Sequence, residues 1–102
     1  MATYVDELRQ TGKAKLPMMC HLMADSENEL ETFARKLGLD PIWRHRDHYD
    51  LSAGKRYQAV LLGAVEITAR EMVALRKRLE EDKAAVYAAQ WEWQKAEDER
   101  TA

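Results

Sequence analysis

The sequence predicts an α/β fold: a small, mainly parallel sheet of three to four strands with flanking helices and a long C-terminal helix. Three observations predict it. Short β-branched or apolar runs alternate with helical periodicity along most of the chain. Two S/T-x-x-E capping boxes, at Ser26 and Thr68, mark where helices begin. Only four Gly and two Pro occur in 102 residues, too few for the many turns of an all-β domain. A chain of this length makes one domain, with an α/β core over residues 1–68 and a long helix over 69–102.

Each element has a local reason. Thr3-Tyr4-Val5-Asp6 joins β-branched and aromatic residues and reads as the first strand. Glu7–Lys15 is polar, contains Gly12 and reads as a loop. After Pro17, the near-continuous apolar run Met18–Ala24 suits a strand buried on both faces. Ser26-Glu27-Asn28-Glu29 then caps a helix over residues 27–37, with Leu30, Phe33, Ala34 and Leu37 at helical spacing. Gly38 and Pro41 stop it. Ile42–Asp47 is a charged connection, and His48-Tyr49-Asp50-Leu51 reads as a third strand. Ser52 caps a helix from Ala53 to about Leu62, which Gly63 ends. Ala64–Ile67 reads as a fourth strand. Thr68-Ala69-Arg70-Glu71 opens the last helix, which no Gly or Pro interrupts.

Composition narrows the function classes. Lys and Arg number 16 against 18 Asp and Glu, for a net charge of -2, and neither half of the chain is basic. General nucleic-acid binding is therefore not expected. The one cysteine, Cys20, excludes an intramolecular disulfide and a Cys-rich zinc knuckle. No apolar run is long enough to span a membrane, and Met1–Lys15 has no core of the signal-peptide kind. A cytoplasmic location is expected.

A set of short motifs gives a resemblance. Tyr4-Val5-Asp6, Cys20-His21-Leu22-Met23-Ala24-Asp25, Glu29-Leu30 through Leu37-Gly38-Leu39, His48-Tyr49-Asp50, Lys55-Arg56 and Gly63-Ala64-Val65 occur in that order. Together they resemble the small bacterial and bacteriophage proteins of the domain of unknown function 4031. The resemblance covers roughly residues 3–67 and leaves out the tail after Glu71. It implies a fold-level identity, a residue set and a bacterial or phage-infected cell. It implies no reaction.

In an open parallel sheet, ligands bind beyond the carboxyl ends of the strands, against helix N-termini. That rule gathers Asp6, Asp25, Asp50 and Ser52 at one edge, with Glu66 and Thr68. Lys55 and Arg56 fall in the first turn of a helix, where the dipole disfavours positive charge. With Ser52 and Gly54 they would suit a bound phosphate. Pairing of Lys55 or Arg56 with Asp47 or Asp50 is the alternative. His48 and Asp50 share one face of a strand, and His21 sits on a neighbouring strand. These three, with Asp25 or Asp6, would make a metal site or an acid–base pair, or else a hydrogen-bonded core histidine with an orienting aspartate. His45-x-x-His48 adds little by itself, because no helix places both on one side. Cys20 reads as packing. Trp43-Arg44-His45-Arg46 reads as a solvated loop, or as a lid over a phosphate site.

The last helix, over 69–97, would be about 43 Å long, more than the sheet needs. Leu79, Val86 and Trp93 recur every seven residues, but Asp82 breaks the alternate line of a heptad seam. A homo-oligomer through this helix, most simply a two-fold dimer, would cover the surplus apolar surface. Three functions fit the whole. The first is binding of a phosphate-bearing small molecule, a nucleotide derivative, without turnover, by Asp6, His21, Asp25, His48, Asp50, Ser52, Lys55 and Arg56. The second is metal-assisted phosphoesterase or nuclease chemistry in the same pocket, with His21, His48 and Asp50 on the metal. The third is a structural or interaction role for the last helix.

Overall fold

The computed structural model describes residues 2–10 and 18–101, with side chains as far as residue 92. The loop expected over Glu7–Lys15 lies partly outside the described residues, and Pro17 lies outside them. The elements are β1 Thr3–Val5, β2 Met19–Ala24, α1 Glu27–Lys36, a 3-10 turn Pro41–Trp43, β3 Tyr49–Ser52, α2 Ala53–Leu61, β4 Val65–Glu66 and α3 Ala69–Thr101. The α/β class and the long last helix are as the sequence predicts.

The sheet is mixed, not mainly parallel. Its order is β3-β2-β1-β4. β2 pairs antiparallel with both β1 and β3, and only β1 and β4 run parallel. The reason lies in segment 38–48. After α1 returns the chain along β2, a parallel β3 would need only a short loop. Segment 38–48 instead carries the chain back to the end of β2, where Arg44 meets Glu27 at 3.4 Å and Glu31 at 3.0 Å in the first turns of α1. β3 then starts beside the end of β2, with Tyr49 opposite Leu22. The alternation of strand and helix is real, but this connection reverses the direction it implies.

Local chemistry sets the helix ends. The Ser26 hydroxyl accepts from the Glu29 amide at 3.2 Å and Thr68 from the Glu71 amide at 3.1 Å. The Thr68 box is reciprocal, since the Thr68 amide donates to Glu71 Oε1 at 3.0 Å. The Ser26 box is half a box: Glu29 Oε1 has no partner among the described residues. Both α1 and α2 end in a left-handed glycine, Gly38 at φ 74° and Gly63 at φ 107°. The following amides, of Leu39 and Ala64, reach back to Ala34 O at 2.9 Å and Ala59 O at 3.0 Å.

Pleating divides the sheet into two faces. Val5, Cys20, Leu22, Ala24, Tyr49 and Leu51 face α1 and α2, and form the main core with Leu30, Phe33, Ala34 and Ala59. The other face carries Tyr4 and Met23, against which Met72, Leu75 and Leu79 of α3 pack with Ile67. Beyond Lys83 the described residues of α3 are exposed. The molecule measures 59 × 26 × 23 Å because α3 runs past the sheet.

Candidate metal centre

The α3 face of the sheet also carries the polar cluster. Asp50 of β3 and His21 of β2 are direct cross-strand partners. Asp6 follows β1 one residue beyond Val5, on the same face. His48 precedes β3, again on that face. α3 covers the Tyr4 and Met23 rows and leaves this part open. His21, His48 and Asp50 each offer one ligand atom within 4.8 Å of the others. The His21 and His48 rings meet edge to face at 5.0 Å.

Each of the two imidazoles is held from behind by a carboxylate. Asp6, 2 % exposed, accepts from the His21 backbone amide at 2.6 Å and lies 2.8 Å from His21 Nδ1. Asp47 Oδ1 lies 2.9 Å from His48 Nδ1. With the proton on Nδ1, the His21 ring turns its Nε2 lone pair outward, the arrangement that orients metal-binding histidines. His48 Nδ1 faces both the Asp47 acceptor and the Arg76 donor, and the one it bonds sets its tautomer. His48 Nε2 sits 3.4 Å from Asp50 Oδ1. Arg76 of α3 closes the outer layer, with Nε 3.0 Å from Asp47 Oδ2 and Nη2 3.0 Å from His48 Nδ1. Burial pushes the Asp47 carboxyl up, but the His48 hydrogen bond and the Arg76 charge outweigh it and leave the group below the usual carboxylate range. Asp50 has no Lys or Arg partner among the described residues; its ion-pair neighbours are His45 and His48. A small cleft of about 270 Å³ opens onto His21 and Asp50, lined also by Arg9, Gln10, Met19 and Cys20.

The remaining predicted site residues sit elsewhere. Because β2 runs against its neighbours, its carboxyl end lies at the opposite edge from those of β1, β3 and β4. Asp25 is therefore separated from Asp6. It ties the N-terminal strand to α3, accepting from the Ala2 amide at 2.8 Å, the Tyr4 hydroxyl at 3.0 Å and Arg78 at 3.3 Å. Ser52 caps α2, accepting from the Lys55 amide at 3.3 Å. Lys55 Nζ donates to the Leu37 carbonyl at 2.6 Å. The negative charge that offsets Lys55 is thus the carboxyl end of α1. Arg56 donates to the Asp6 carbonyl at 2.8 Å and pairs with Glu66 at 3.0 Å. Neither pairs with Asp47 or Asp50 among the described residues; both side chains of the expected phosphate site are turned to protein partners, Leu37 for Lys55 and Asp6 with Glu66 for Arg56. Burial, with the charge of Asp6, pushes the Cys20 thiol up to about 12, which fits its reading as packing.

His45 belongs to the cluster after all. All three histidines of the chain gather here. The His-x-x-His spacing was the available signal, and a tight turn rather than a helix makes it effective. Arg76 gave no signal, since nothing in the sequence connects α3 to His48.

The fold and the cluster define a small α/β protein with a candidate metal centre on one sheet face. The family model described as "Protein of unknown function (DUF4031)" matches residues 3–79, and the chain belongs to that family. The match runs past residue 67 to Leu79, the last α3 residue packed against the sheet, so the family unit includes the start of that helix. No curated protein and no solved structure matches the chain.

Proposed function

We propose that this protein is a metal-dependent phosphoesterase whose centre is His21, His48 and Asp50. The observation that carries the reading is the convergence of one ligand atom from each within 4.8 Å. Two nitrogens and one carboxylate oxygen suit zinc and related divalent transition ions. Such an ion polarises a phosphoryl oxygen and acidifies a bound water, which is the chemistry phosphoester hydrolysis needs. Asp6 and Asp47 fix the rings. Asp50 supplies the charge that the ion neutralises.

The phosphate-bearing ligand expected from the sequence enters as the substrate. It approaches through the cleft at His21 and Asp50, where Arg9 is the cation on the wall. At about 270 Å³ this cleft falls just below the roughly 300–1,000 Å³ of enclosed small-molecule sites. It fits the phosphoryl or sugar-phosphate end of a nucleotide and leaves the base outside. The products are a free hydroxyl and a phosphate, with one water consumed. A cytoplasmic setting in a bacterial or phage-infected cell is part of the proposal; no described helix is long and apolar enough to cross a membrane.

The test is hydrolysis of a nitrophenyl phosphodiester and of nucleotide monophosphates by the full chain, with zinc, manganese or chelator. The reading expects metal-dependent turnover that falls at least 100-fold in Asp50→Asn. Metal-loaded protein that turns over neither substrate class, or an Asp50→Asn variant as active as the parent, overturns it.

A second reading concerns α3. Val86, Tyr87 and Trp91 are exposed on the part of the helix that runs past the sheet. A second copy of the chain laid antiparallel across this segment would cover them on both protomers at once, as two-fold symmetry allows. Sedimentation of the parent and of a Tyr87→Glu/Trp91→Glu variant tests it. A parent that stays monomeric at high micromolar concentration refutes it.

A further inference from the structure

We infer that His45 is the fourth and exchangeable ligand of this centre, an inference that rests on the metal reading above. His45 and His48 form an isolated antiparallel bridge. The His45 amide donates to the His48 carbonyl at 2.9 Å, and the His48 amide returns a bond to His45 at 3.1 Å. Arg46 turns the chain between them with φ 55°, a left-handed conformation unusual for a residue with a side chain. Partners in such a bridge present their side chains on one side. The rings accordingly stack at 5.9 Å with 25° between their planes.

Asp50 lies between the two imidazoles. Its Oδ1 is 3.4 Å from His48 Nε2 and its Oδ2 is 3.7 Å from His45 Nε2. A tetrahedral ion bonded at 2.0–2.1 Å holds its ligand atoms about 3.3 Å apart. The two separations run to different oxygens of Asp50, and His45 is not among the residues whose ligand atoms already converge, so the exposed His45 ring must swing toward the oxygen that His48 faces to enter the coordination sphere. Four ligands of this kind favour zinc or cobalt over magnesium and calcium, which take oxygen.

His45 differs from the other two histidines in what holds it. Its side chain is 67 % exposed against 17 % for His48. Asp6 stands behind His21 and Asp47 behind His48, but no carboxylate stands behind His45 Nδ1 among the described residues. Its turn is exposed on both sides, at His45 and Arg46. His45 is therefore the ligand that gives way when a phosphoryl oxygen arrives. At rest it fills the position that substrate takes.

The experiment is cobalt(II) titration of the full chain and of His45→Ala, read by visible absorption, with and without inorganic phosphate. Four-coordinate cobalt absorbs several-fold more strongly than five- or six-coordinate cobalt. The parent is expected to bind one cobalt with the intense band. His45→Ala, an exposed-site change checked for folding by circular dichroism, is expected to bind one cobalt about tenfold more weakly, with a shifted band because a solvent oxygen replaces the imidazole nitrogen. Phosphate should shift the parent band without loss of intensity, as an oxygen replaces the His45 nitrogen at unchanged coordination number, and should bind the variant more tightly, since no side chain competes. A variant with the parent's affinity and spectrum removes His45 from the centre and leaves the metal reading standing. A parent band indifferent to phosphate that binds the variant overturns the exchange. A parent that binds no cobalt overturns the centre itself, and His45 with it.

Discussion

Asp6→Asn separates the account's structural and chemical parts in one variant. The Asp6 carboxylate is buried and meets two donors, the His21 amide at 2.6 Å and the ring Nδ1 at 2.8 Å. An asparagine keeps the shape, and its carbonyl oxygen can still accept from the amide. Its NH2 then faces Nδ1, so it donates where the carboxylate accepted. The His21 proton must move to Nε2, the nitrogen needed for the metal. Two consequences follow, with different sizes. Hydrogen bonds to a charged group contribute roughly 1.5–3 kcal/mol, against about 1 for neutral pairs, so exchanging two of them costs about 2 kcal/mol of fold stability. Loss of a carboxylate behind a metal-bound histidine weakens metal binding about 10–100-fold. Urea unfolding of the metal-free protein measures the first, and zinc competition against a chromogenic chelator measures the second. Parent-like values in both would mean that Asp6 does not set the His21 ring, and the orientation argument would fail.

Four further outcomes are expected. Lys55→Ala should destabilise by about 1–2 kcal/mol in chemical denaturation, because a charged donor at 2.6 Å from the α1 carboxyl end is lost; a neutral or stabilising change would restore the view that its charge opposes the α2 dipole. Tyr4→Phe should cost about 1.5 kcal/mol through the lost bond to Asp25. Burial and Asp25 hold the Tyr4 hydroxyl above its usual value of 10.0, so its contribution is complete below pH 10.0 and fades as pH rises through the higher folded value. Parent and Tyr4→Phe melting curves should therefore converge in alkali and stay parallel near neutrality. Cys20, buried and with its thiol pushed up to about 12, should react with a disulfide reagent at pH 8 only after unfolding; stoichiometric labelling of the native chain within seconds would contradict its burial.

The legible parts of this fold were those fixed by local chemistry. Ser26, Thr68, Gly38 and Gly63 set helix ends through bonds to their own neighbours, so their meaning is contained in a few residues. The strand pairing was not local. Whether β3 lies parallel or antiparallel to β2 depends on where segment 38–48 delivers the chain, and Arg44 meets Glu27 and Glu31 where it does so. The same distinction runs through the site. His48 and Asp50 share a face by strand periodicity alone, and His21 followed from a plausible neighbour. Asp25 lies at the opposite edge from Asp6 because the rule that gathers strand ends holds only for parallel strands, and β2 runs against its neighbours. The partner of Lys55 is the Leu37 carbonyl at the end of α1, too far off in sequence for the local pattern to show it. Arg76, from α3, required the tertiary fold.

Zinc stoichiometry tests the central claim most directly. Equilibrium dialysis of the full chain against micromolar zinc, followed by elemental analysis, should find one zinc per chain. His48→Ala and Asp50→Asn, both at partly solvated positions that leave the core intact, should each reduce that value toward zero while keeping the helical circular dichroism of the parent. Zinc retained at one per chain in both folded variants, or none bound by the parent, would contradict a metal centre at His21, His48 and Asp50.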